Sequence, residues 1–103
     1  MSGFALHPEA YDDIDEIRTY IAEDSPDAAD RTVNEIFDRL RQLARFPGQG
    51  FRRPNYTSLP LRYIAVRDYL IAYAPETDPL WVVAVIHGRR NPRVITAILR
   101  GRE

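Results

Sequence analysis

The chain predicts an α+β domain: an N-terminal strand and an antiparallel helical hairpin packed on a small, mainly antiparallel β-sheet, closed by a short C-terminal helix. Three observations carry this. Apolar residues recur at helical spacing twice in the first half, as Ala10, Ile14, Ile17, Ile21 and then Ala29, Val33, Ile36, Leu40, Leu43. The break between the two stripes, Ser25-Pro26-Asp27, is so short that the helices must run antiparallel. In the second half, three apolar runs are joined by turns too tight for a crossover, so neighbouring strands are antiparallel as well.

Each element has a local cause. Gly3 to Leu6 reads as a short strand. Pro8 supplies the fixed φ suited to a first helical position, and Glu9, Asp12 and Asp13 complement the positive end of the helix dipole. The first helix is expected to end near Glu23 or Asp24. Ser25 is a good N-cap and Pro26 a good first residue for the second helix, which Pro47-Gly48 closes. Gln49 to Pro60 holds a glycine, two prolines and several polar residues, and reads as a loop. Leu61–Val66 and Tyr69–Ala74 are strand-like runs separated by Arg67-Asp68, a β-hairpin without glycine. Pro75 to Pro79 forms the next turn. Leu80 to Ile86 is unbroken apolar sequence, the pattern of a strand covered on both faces. Val94, Ile95, Ile98 and Leu99 predict the terminal helix.

Length bounds the rest. Residues 1–103 make one domain with a single modest core. Without cysteine there is neither a disulfide framework nor a thiolate nucleophile, and nothing in the pattern asks for a metal or other cofactor. No apolar run approaches the ~18 residues that span a bilayer, and Met1 to Glu9 lacks the basic and apolar regions of a secretory signal. A soluble, cytoplasmic protein without membrane association is the expectation. The net charge of −1 conceals a segregation: residues 1–35 carry a balance of −8, residues 36–103 one of +7, and every cation is an arginine. Two faces with different partners are expected.

The strand from Leu80 delivers His87, Gly88, Arg89 and Arg90 to its end, with Arg93 just beyond Pro92. Guanidinium groups held there can meet a phosphate or a carboxylate in paired hydrogen bonds, but cannot act as bases. His87 could act as a general acid or base, or serve as a cap on the strand end. Arg62 and Arg67 flank the preceding strand and extend the candidate patch, whereas Arg52-Arg53 read as solvated. Tyr69, Tyr73 and Trp81 fit sheet packing better than base stacking. Asp12, Asp13, Asp15 and Glu16 point in different directions on a helix, so they read as a solvated acidic face and not a metal site.

Several segments together resemble the ParE/RelE superfamily of bacterial toxins, the toxic halves of type II toxin–antitoxin systems. They are Leu6-His7-Pro8-Glu9-Ala10, Asp13-Ile14-Asp15-Glu16-Ile17, Tyr20-Ile21, Ala28-Ala29, Leu43 to Gly50, Tyr69 to Tyr73, and Val85-Ile86-His87-Gly88-Arg89-Arg90. The resemblance covers nearly the whole chain and implies a cognate antitoxin that holds the toxin inactive. The RelE-like branch cleaves mRNA on the ribosome and is characterised by basic residues on the middle strands, an arginine ending the last strand and a nearby tyrosine or histidine. Arg90 matches the last-strand arginine, but Leu70 and Thr96 stand where an arginine and a tyrosine are expected, and Tyr63 and Ala65 where lysines are. The His-Gly-Arg-Arg ending and the long hairpin resemble the ParE-like branch. That branch is associated with plasmid stabilisation and with inhibition of DNA gyrase by binding, without catalytic residues of the toxin's own. The resemblance therefore implies His87, Arg89, Arg90, Arg93, Arg62 and Arg67 as candidates for contacting the target, and no sequence-specific nucleic-acid binding by the toxin alone. A RelE-like nuclease, or a non-toxic binding domain of the same fold, is the alternative. For the antitoxin, which folds as it binds, Phe37, Leu40, Phe51, Tyr56 and Leu59 are candidate contacts.

Overall fold

The computed structural model describes residues 3–103. Met1 and Ser2, where the stretch weighed as a signal peptide begins, lie outside the described residues.

Strand β1 (Phe4–Leu6) leads into helix α1 (Pro8–Ala22), whose N-cap is His7: its Nδ1 accepts the Glu9 N–H at 3.0 Å. Helix α2 (Pro26–Arg45) starts on Ser25, whose hydroxyl accepts the Ala28 N–H at 3.2 Å. Both helices turn their apolar stripe inward, burying Ala10, Ile14 and Ile17 from α1 and Val33, Ile36, Leu40 and Leu43 from α2. A 3-10 turn (Pro47–Gln49) follows, then strands β2 (Phe51–Arg52), β3 (Arg62–Val66), β4 (Tyr69–Ala74) and β5 (Leu80–His87), and helix α3 (Pro92–Gly101).

The five strands are ordered β1-β5-β4-β3-β2, with β1 parallel to β5 and every other pair antiparallel. The expected α+β architecture is thus the observed one. Where Gln49 to Pro60 reads as loop, Phe51 and Arg52 form a two-residue strand, because they pair with Tyr63 and Arg62. Two residues are too few to show a period in sequence. The β3–β4 turn holds Arg67 at φ 54°, a left-handed conformation that glycine or asparagine adopts more readily.

The sheet is covered on both faces. The hairpin packs on one side over Ile71, Tyr73, Leu80, Val82 and Val85, and α3 packs Ile95 and Leu99 on the other over Tyr63, Ala72, Val83, Ala84 and Ile86. This explains the unbroken apolar run of β5. A bulge opposite Ala72/Tyr73 inserts one residue into β5, so Leu80 and Val82 face the hairpin before it and Val85 after it. The parity switch returns His87 to the hairpin side, edge-on to the ring of Tyr69 at 5.5 Å.

Candidate functional site

Strand β1 covers β5 only as far as Val82, so the outer edge of β5 beyond it needs other partners. Asp13 and Arg102 supply them. The Asp13 carboxylate accepts the Val85 N–H at 3.0 Å, and the Arg102 guanidinium donates to the Val83 carbonyl at 3.1 Å. The two side chains also pair with each other through Nη1–Oδ2 at 2.5 Å and Nη2–Oδ1 at 2.8 Å. Asp13 therefore leaves the expected solvated acidic face: it lies half-buried, and its hydrogen bond to Arg102 holds that guanidinium still more firmly protonated. Its place on α1, three residues after Ala10 and four before Ile17, already puts it on the inward face.

Above this pair, a cleft of about 550 Å³ opens between α1, the end of β5 and α3. Ile17 and Ile98 form apolar wall, and Glu16, Tyr20, Tyr69, His87 and Arg90 bring polar atoms to it. Burial pushes the Tyr69 hydroxyl above its ordinary value. Nδ1 of His87 accepts the Arg89 N–H at 3.1 Å, so the neutral ring carries its proton on Nε2. Arg90, Glu16, an imidazole N–H and two phenols form a hydrogen-bonding surface in which both signs of charge are present, held between α1 and the end of β5. Such a surface can meet polar and charged groups of either sign on a partner protein. Sequence reasoning missed Glu16 and Tyr20 as members. Their i, i+4 spacing with each other, beside Ile17, was the available signal.

The structure divides the cationic patch. His87 and Arg90 line the cleft, and Arg89 is exposed beside them. Arg93 opens α3 and lines a different hollow. Arg67, at the same end of the sheet as His87, is paired with Glu35 of α2, which draws the Glu35 carboxyl below its ordinary value. Arg62 lies at the other end of the sheet, paired in register with Tyr73, and donates to the Gly50 carbonyl at 2.8 Å.

The antitoxin candidates divide too. Leu40 is fully buried in the hairpin-side core and lines no surface, because α2 turns its entire apolar stripe to the sheet. Phe37 is half-buried, 6.0 Å from Phe4. Tyr56 rests edge-on against Tyr63 at 5.5 Å. Phe51, on edge strand β2, and Leu59 are exposed, as is Phe46 at the end of α2.

A helical hairpin on a five-stranded sheet with a C-terminal helix behind it makes this a small two-sided α+β domain. The family described as "ParE toxin of type II toxin-antitoxin system, parDE" matches residues 4–92, and the chain belongs to it. Among similar proteins, Toxin ParE2 of Mycobacterium tuberculosis is 32% identical over 97 residues, covering 94% of this chain and 91% of the relative. Toxin RelE3 of Caulobacter vibrioides is 28% identical over 88 residues, 84% of this chain and 95% of the relative. Putative toxin Y4kP of Sinorhizobium fredii is 34% identical over 83 residues, 80% and 84% respectively. Membership of a toxin–antitoxin family implies an antitoxin partner. Among the described residues no helix is long and apolar enough to cross a membrane.

Proposed function

We propose that this toxin acts in the cytoplasm on DNA gyrase, by binding and without cleaving nucleic acid, and that a cognate antitoxin blocks it. The observation that carries this reading is the state of the sheet face opposite the hairpin. Ribonucleolytic chemistry needs a group to activate a ribose hydroxyl, charge stabilisation at phosphate and a proton source, all open to substrate. Here that face is apolar and closed by α3: Leu70 packs into it, and Tyr63 is 1% exposed. Burial pushes the Tyr63 hydroxyl up to about 12, where it is a poor proton donor. Accessible polar groups line the His87–Arg90 cleft instead, and we read them as contacts for a protein surface. The antitoxin is read as a segment that folds across the exposed apolar residues Phe51, on edge strand β2, and Leu59, in the loop after it.

A second reading, a RelE-like nuclease, draws on His87, Tyr69 and Arg90 sharing one cleft and on the relative named RelE3. Induction of the chain alone in a bacterium, with pulse labels for DNA and protein synthesis, separates the two. Early failure of DNA synthesis with a DNA-damage response supports gyrase. Arrest of protein synthesis within minutes, with DNA labelling intact, supports the nuclease.

A further inference from the structure

The acidic and basic halves of the chain become two sides of the folded molecule. Eleven of the 15 acidic residues, from Glu9 to Asp38, lie on the hairpin or at its turn. The β2–β3 loop and α3, by contrast, contain no acidic residue. A groove of about 580 Å³ separates these two basic elements, lined by Asn55 from the loop and by Pro92, Arg93, Thr96, Ala97 and Arg100 from α3. The spacing of Arg93, Thr96 and Arg100 sets them on one side of the helix, with the guanidinium-bearing positions about 10 Å apart along its axis. Neither arginine's side chain has a hydrogen-bond or ion-pair partner among the described residues. A smaller hollow of about 260 Å³ in the same loop adds Arg52 and Arg53.

We propose that this groove binds the sugar–phosphate backbone of DNA, independently of base sequence. Two features favour a phosphodiester backbone over an acidic peptide. Charge is spread along the groove as separate arginines, with an amide and a hydroxyl between them, the side-chain types that contact backbone oxygens. And the groove's apolar lining comes from Pro92, Ala97 and side-chain methylenes, with no large apolar side chain to shape the deep anchor pockets that a docking peptide helix needs. Binding is weak, because the whole chain carries a net charge of −1 and the hairpin side repels the same ligand. It is also steeply salt-dependent, since backbone contacts act by releasing counterions. The proposal does not rest on gyrase being the target.

The test is fluorescence anisotropy of a labelled random-sequence DNA duplex titrated with the full chain at low and rising salt. Wild type binds, with a log–log salt slope of about −2 to −4, matching two to four phosphate contacts. Arg93→Gln with Arg100→Gln weakens binding at least tenfold, whereas Arg93→Lys with Arg100→Lys retains it. Arg18→Gln with Arg41→Gln, on the hairpin, leaves affinity unchanged. Equal binding by the glutamine pair, or loss in the lysine pair as well, overturns the proposal. So does competition by polyglutamate as effective as unlabelled DNA at equal charge, which assigns the groove to an acidic protein. Gyrase inhibition is scored separately, so either result stands without the other.

Discussion

Arg102 closes a two-point ion pair on Asp13 across 89 residues of sequence, and together they satisfy the edge of β5 that β1 leaves open. The side-chain exposures, 9% and 15%, place the pair in a partly desolvated setting where removing one partner costs more than the pair itself contributes. Asp13→Ala is expected to destabilise the fold by about 2–4 kcal/mol in chemical denaturation, since it strands Arg102 and frees the Val85 N–H. Asp13→Asn, which can still accept from Val85, is expected to cost less. Equal losses would mean that the charge on Asp13, and not its hydrogen bond to Val85, carries the whole contribution.

The two buried tyrosines are expected to respond oppositely to the same substitution. Tyr73 donates to the Pro47 carbonyl at 2.7 Å and accepts the Gly50 N–H at 2.9 Å, so Tyr73→Phe leaves two polar groups unpaired and costs about 1–3 kcal/mol. The Tyr63 hydroxyl is buried without a partner among the described residues, so Tyr63→Phe is expected to be neutral or to stabilise by up to about 1 kcal/mol. The folded value of Tyr63 is raised above its ordinary 10, so its contribution is complete below pH 10 and fades as pH rises toward 12. Alkaline melts of wild type and Tyr63→Phe read this difference directly.

Gly50 adds a steric prediction. A Cβ there would sit 2.5 Å from the Tyr73 hydroxyl and 2.8 Å from the Tyr63 carbonyl, so Gly50→Ala must break the knot linking the 3-10 turn to β4. A loss of about 1–3 kcal/mol in thermal or denaturant unfolding is expected. Gly48→Ala, with open space around it, is the matched control and is expected to lie within about 0.5 kcal/mol of wild type.

Core and candidate interface separate by the same logic. Leu40→Ala opens a cavity in the hairpin-side core and is expected to cost about 2–5 kcal/mol. Phe51→Ala, 62% exposed on an edge strand, is expected to stay within about 0.5 kcal/mol in stability while lowering antitoxin affinity at least tenfold by calorimetry. Unchanged affinity would remove β2 from the antitoxin surface.

The elements were legible because their signals are local. Ser25-Pro26 starts α2, Arg67-Asp68 turns β3 into β4, and Leu80 to Ile86 runs as one covered strand. What the sequence hid is set by distance. The bulge that returns His87 to the hairpin side depends on how β5 pairs with β4, and the Asp13–Arg102 pair joins the first helix to the last residues. Leu40 reads equally as core or surface until the direction of the α2 stripe is known. Likewise, the arginines at positions 62, 67, 90 and 93 look like one patch along the chain, but the sheet register sends them to different places.

The gyrase reading is tested most directly with purified components. The chain is added to gyrase, ATP and relaxed plasmid, and supercoiling and cleaved DNA are followed on gels, with Arg90→Ala in parallel. Loss of supercoiling with wild type, relieved by Arg90→Ala of unchanged melting temperature, is the expected result. Full supercoiling activity in the presence of excess toxin, together with mRNA cleavage in a ribosome assay, would contradict it.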